Sequence, residues 1–275
     1  MQGIGSSVGG DEAQRERRDP AGQSTGCGVA VMAKASAPGR TKTRLVPPLL
    51  GEEAAAFNTA FLKDIAANLL AAGGQTAIAG YMAFGPAGSE DFFKRNMPAE
   101  IGLFEASLPN FGDCLFHAVE QVLQRGHRCA AVLNSDSPTL PTSLLVETAE
   151  VLAQPGDRAV LGPASDGGYY LLGLKYAHRR LFDDVDWSTE RVAKQTLARA
   201  REIRLQVHVL PTWYDVDDIE ALRRLHAELI EGRRFCVGLQ PHRAPHAAAL
   251  MTSLDVKADL SRRIGLPGVL QGAPM

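Results

Sequence analysis

The stretch Cys27-Gly28-Val29-Ala30-Val31-Met32-Ala33 runs directly into Lys34-Ala35-Ser36-Ala37-Pro38-Gly39-Arg40-Thr41-Lys42-Thr43-Arg44. A short apolar run ended by polar and Gly/Pro residues has the profile of a strand buried on both faces. The loop after it carries four cations, Lys34, Arg40, Lys42 and Arg44, around a Pro38-Gly39 turn. Open α/β sheets gather ligands beyond the carboxyl ends of their strands, and backbone amides with Lys and Arg heads hold phosphate oxygens there. Lys34, Pro38, Gly39, Lys42, Thr43 and Arg44 are therefore a candidate phosphate-binding set, the alternative being a solvated basic loop. A Walker A loop is excluded, because Thr41 rather than glycine precedes Lys42-Thr43.

Working outward, the same alternation repeats. Ala54, Phe57, Phe61, Ile65 and Leu69 recur at helical steps and predict a helix over 51–72. Strands are expected over 76–83, 101–105 and 128–133, and helices over 114–124 and 141–152. Two short strands, 159–162 and 169–174, flank a glycine-rich turn. A helix over 188–202 with Ser188 as its cap, a strand over 205–210 and a helix over 217–230 follow. Strands alternating with helices imply a mostly parallel open sheet flanked by helices, an α/β fold. The expected division is a disordered leader over 1–25, one domain over 26–232 and a peripheral extension over 233–275 with a short helix near 254–264.

Three further polar clusters follow predicted strands. In Asn134-Ser135-Asp136-Ser137-Pro138, a carboxylate just past an apolar strand can enter the cleft and bind Mg²⁺. Capping of the next helix is the plainer role for Asp136, but that helix starts too far on. In Gly162-Pro163-Ala164-Ser165-Asp166-Gly167-Gly168-Tyr169-Tyr170, adjacent glycines permit positive φ and close approach to a ligand, although Asp-Gly also marks a simple turn. In Tyr214-Asp215-Val216-Asp217-Asp218, alternate residues of an extended segment share a face, which pairs Asp215 with Asp217. Asp217 or Asp218 can equally cap the helix that follows.

The 275 residues are 45% hydrophobic and 22% charged, with 29 Lys+Arg against 31 Asp+Glu. That balance argues for neither nucleic acid nor an anionic membrane as partner, so any anion site must be a local basic cluster. Cys27, Cys114, Cys129 and Cys236 are scattered and read as buried thiols, which fits a reducing, cytoplasmic setting rather than structural zinc.

These clusters, in this order, resemble the nucleotide-diphospho-sugar transferase (GT-A-like) superfamily over about residues 27–230. The likeness is nearest to the rSAM/selenodomain-associated transferase 1 family, and more distant to the phospholactate and molybdenum-cofactor guanylyltransferases. It is carried by the loop from Lys34 to Leu45, by Asn134 to Pro138, by Gly162 to Tyr170, by Trp187-Ser188-Thr189 and by Asp215-Val216-Asp217. The resemblance implies that the basic loop, with Ser135, binds a nucleoside phosphate. It implies that Asp136 and Asp217, with Asp215 as substitute, hold Mg²⁺ or Mn²⁺, and that Asp166, Gly167, Gly168 and Tyr169 face the acceptor. Lys42 and Asp136 are the expected catalytic pair. Ser36 stands where the family often has proline, and Asp218 replaces the usual threonine, which leaves the choice among Asp215, Asp217 and Asp218 open. Three functions follow: nucleotidyl transfer from a nucleoside triphosphate to a small acceptor, glycosyl transfer from a nucleotide-sugar, or a non-catalytic nucleotide-binding module. The early basic loop suits a triphosphate and favours the first.

Overall fold

The computed structural model describes residues 26–266; the leader expected over 1–25 lies outside the described residues. The first part of the quoted stretch forms β1 (Cys27–Lys34), buried except for half-buried Met32 and exposed Lys34. In chain order there follow α1 (Gly51–Gly73), β2 (Ile78–Gly85), α2 (Glu90–Asn96), β3 (Gly102–Glu105), α3 (Phe111–Gln124), β4 (Cys129–Leu133) and α4 (Thr142–Ala153). The second half comprises β5 (Arg158–Pro163), β6 (Tyr169–Leu174), α5 (Val192–Glu202), β7 (Gln206–Val209), α6 (Ile219–Leu229), α7 (Pro245–Ala258) and α8 (Leu260–Arg263).

One seven-stranded sheet has the order β3-β2-β1-β4-β6-β5-β7. All neighbours are parallel except β6, which runs against both β4 and β5. β1 and β4 occupy the middle and are covered on both faces, which is why they read as unbroken small apolar runs. Residues of β1 alternate between two cores: Val29 and Val31 belong to one with residues of α1, α4 and α6, whereas Ala30 belongs to one with residues of α3 and α5. The hairpin β5–β6 reverses direction at 164–168, so this turn returns to the edge where β1, β4, β5 and β7 end.

Three departures from the expected elements have local causes. α5 begins at Val192, because Ser188 adopts φ 65°, outside the helical region, and cannot serve as its cap. α2 is one amphipathic turn too short for a period; Phe93 alone is buried, stacked on Phe84 at 5.2 Å. After residue 232 the chain is helical over Leu260–Arg263, within the expected 254–264, and also over the longer Pro245–Ala258, whose start was not expected. Its Ala247 and Met251 are fully buried against the α1 side of the core. Its first turn takes a cap from another element: the Asp64 carboxylate of α1 accepts from the His246 and Ala247 amides, both at 2.8 Å. Among the described residues no helix is long and apolar enough to cross a membrane, and all four cysteines are free thiols, Cys27, Cys114 and Cys129 buried.

Candidate active site

Lys42 is the centre of the site. Its ammonium reaches 2.6 Å from Asp136 Oδ1 and 2.9 Å from Asp217 Oδ1, and donates to the Val216 carbonyl at 2.8 Å. The lysine side chain is 4% exposed, against 29% for Asp136 and 41% for Asp217. Burial works against the charged ammonium, but the two carboxylates outweigh it and hold its pKa above the usual lysine value. Lys42 also adopts a left-handed backbone, φ 51°, a conformation that costs a non-glycine residue on the order of 1–3 kcal/mol. The surrounding loop enforces it. Arg40 and Thr41 amides return to the Ala37 carbonyl around Gly39 at φ 70°, and a short helical turn starts at Thr43.

The two aspartates arrive from distant strands. β4 delivers Asp136, and the chain after β7 runs alongside it, the Val216 amide donating to the Asp136 carbonyl at 2.8 Å. Ser135 donates its hydroxyl to Asp136 Oδ1 at 3.2 Å. Asp218 settles the capping question, since its Oδ1 accepts from the Ala221 amide at the start of α6. Asp215 and Asp217 are thereby left for the cleft. Burial, followed by the charges of Asp166, Asp217 and Asp136, pushes the Asp215 carboxyl up to about 6. Four carboxylates thus share one edge with Lys42 as their buried cation.

A cleft of about 240 Å³ opens over this centre, lined by Lys34, Arg40, Lys42, Arg44, Ser135 and Asp217 among others. Among the described residues Lys34, Arg40 and Arg44 make no ion pair, so their heads are available to an anion. Pro38 and Gly39 shape the turn beneath this cleft. Asn58 of α1 carries a signal that the sequence reading passed over. It is a buried polar residue on an apolar helix face, and its amide donates to the Lys34 carbonyl at 3.0 Å and to Ser36 at 2.8 Å. That tie fixes where the basic loop leaves β1.

The acceptor set divides. Asp166 lines a second, larger cleft beside the first. Its Oδ1 accepts from the Gly168 amide at 2.8 Å, which makes the turn self-supporting. Gly167 holds φ 91°, and a Cβ there would lie 2.2 Å from the Glu190 carbonyl oxygen, so its glycine serves packing. Tyr169 is partly buried: it packs against the α3/α5 core, its ring edge-on to Trp187 at 6.4 Å and its hydroxyl buried.

Comparisons with known proteins follow the same lines. Residues 68–189 match a family described as an uncharacterized protein conserved in bacteria (DUF2064). No curated protein matches the chain. The fold is that of a candidate nucleotide-diphospho-sugar transferase from Desulfovibrio desulfuricans G20, with TM-score 0.70 and 25% identity over 84% of this chain and 95% of that one. A cytidylyltransferase from Leptospira borgpetersenii serovar Hardjo-bovis gives TM-score 0.48 and 10% identity over 89% and 99%. A CMP:2-keto-3-deoxy-manno-octonic acid synthetase complexed with CTP gives TM-score 0.47 and 10% identity over 76% and 100%. The nucleotide-diphospho-sugar transferase superfamily is supported at this coarse level.

Proposed function

We propose that the chain is a metal-dependent nucleotidyltransferase that joins a nucleoside phosphate to a small phosphorylated or sugar-like acceptor. The observation that carries this reading is Lys42 buried between Asp136 and Asp217 at the floor of a cleft whose rim holds three unpaired cations. In such a transfer an acceptor oxygen attacks the α-phosphorus while the bond to the β-phosphate breaks and pyrophosphate leaves. Little covalent help is required; alignment and neutralisation of developing charge do most of the work. Lys34, Arg40 and Arg44 hold phosphate oxygens, and Asn58 keeps their loop in register. Lys42 fixes the two aspartates at one point.

The donor set suits a hard divalent cation. Asp136, Asp166 and Asp217 lie close enough to Asp215 for their charges to raise its pKa, and Lys42 is the single cation that ion-pairs with any of the four among the described residues. Among those residues no group of three ligands forms a ready protein cage. Two carboxylates completed by phosphate oxygens and water is the arrangement Mg²⁺ favours. Asp136 and Asp217 would hold Mg²⁺ or Mn²⁺, with Asp215 adjoining. Bound there, the ion would neutralise phosphate charge.

Glycosyl transfer from a nucleotide-sugar is the second reading, favoured by the Desulfovibrio neighbour's name. A panel of nucleoside triphosphates and nucleotide-sugars, with and without Mg²⁺, scored by melting temperature separates them, since a ligand of the native state raises it. Stabilisation by a triphosphate with Mg²⁺ supports nucleotidyl transfer. Stabilisation by nucleotide-sugars alone supports the second reading, and a response to neither removes both.

A further inference from the structure

The larger cleft, about 1140 Å³, shares Arg44 and Asp217 with the smaller one. Its walls are the Asp166 turn, the segment 214–218, α6, and three residues from beyond 232, Arg233, Phe235 and Leu266. This size is slightly above the usual range for a small-molecule site. Its cations are not equivalent. Arg223 is tied to the Ile264 carbonyl, and Arg233 pairs with Glu231 at 2.9 Å. Arg224 has no carboxylate partner among the described residues, and its Nε is buried without a hydrogen-bond acceptor. Instead its guanidinium is stacked between two rings, 4.0 Å from the Tyr214 centroid and 4.8 Å from that of Phe235.

A guanidinium immobilised on aromatic faces keeps its charge and its forked donors directed outward, the arrangement that suits a phosphate. Arg44, equally unpaired, stands where the two clefts meet. Arg224 lies six positions on from the Asp218 cap, about 9 Å along α6 at the helical rise. The carboxylates Asp166, Asp215 and Asp217 crowd the Asp218 end and repel an anion from it. The cleft is therefore polarised, favouring a ligand with an anionic head and a neutral body. We propose that it binds a small organic phosphate, its phosphate on Arg224 and its uncharged end toward the rim formed by Arg44 and Asp217. The identification of this ligand as the acceptor rests on the transferase reading above; the binding itself does not.

Calorimetric titration of the full chain with glycerol 3-phosphate, against glycerol as the neutral control, tests it. Wild type should bind the phosphate and ignore glycerol. Arg224→Met should weaken binding at least about tenfold, as loss of a charge-assisted donor does, and Arg224→Lys should recover part of it. Phe235→Ala, which unstacks the guanidinium from an exposed position, should weaken binding in the same direction if Arg224→Met fails to fold. Arg40→Ala, in the other cleft, should leave it unchanged. Absence of binding, binding that Arg224→Met and Phe235→Ala leave intact, or binding lost with Arg40→Ala would overturn the proposal. If the probe binds through Arg224 while no nucleotide binds, the transferase reading fails and this cleft stands. If nucleotides bind and the probe does not, the reverse holds.

Discussion

At the scale of single residues, Lys42 shows how little of the site lies in the identity of its members. The sequence names Lys42, Asp136 and Asp217, but their spacing along the chain says nothing of an ammonium 2.6 Å and 2.9 Å from the two carboxylates. Lys42→Met should leave two carboxylates repelling each other. Loss of one partner from a buried pair costs about 3–5 kcal/mol, and partial exposure of both aspartates lowers the expected figure to about 1–3 kcal/mol. In melts with EDTA the variant should fall below wild type, and Mg²⁺ should restore it more than it raises wild type. Equal Mg²⁺ responses would show that the lysine and the metal do not share that place. Gly167→Ala should cost more than about 1 kcal/mol, because it meets both a positive φ and the Glu190 carbonyl. Chemical denaturation reads this directly, and an unchanged midpoint would mean that the turn yields.

At the scale of elements, legibility followed periodicity. β1, β4 and α1 are visible because burial on both faces, or on one helical stripe, forces a repeating pattern on the residues. α2 is too short to repeat, and pattern alone does not say that Tyr169 of β6 packs against the α3/α5 core. The early start of α7 was hidden for another reason: it is capped by Asp64, 182 residues from His246. Burial pushes the Asp64 carboxyl up to about 6 in spite of its two amide hydrogen bonds. The folded chain then holds this proton more tightly than the unfolded chain, whose Asp titrates near 3.9. Stability from this group is fully present below about pH 4 and is lost as pH rises through 6, by at most about 3 kcal/mol. Asp64→Asn should flatten that slope in pH-dependent unfolding. A variant with the slope of wild type would assign the titration elsewhere.

At the scale of the whole molecule, the sheet order β3-β2-β1-β4-β6-β5-β7 converts four clusters, spread from residue 34 to residue 217, into one edge. The alternation of strands and helices makes that convergence readable in advance, since parallel strands all end on the same side and the β5–β6 turn returns to it. The larger cleft was not readable, because Phe235 and Leu266 reach it through tertiary packing alone. The account stands or falls on whether this edge is a nucleotide site that needs a metal. Isothermal titration of the four ribonucleoside triphosphates, each with Mg²⁺ and with EDTA, into wild type and Asp217→Asn measures that most directly. The account predicts that at least one triphosphate binds with Mg²⁺, and that removal of either the metal or the Asp217 charge weakens it at least about tenfold. Binding indifferent to both, or none by any triphosphate, would contradict it.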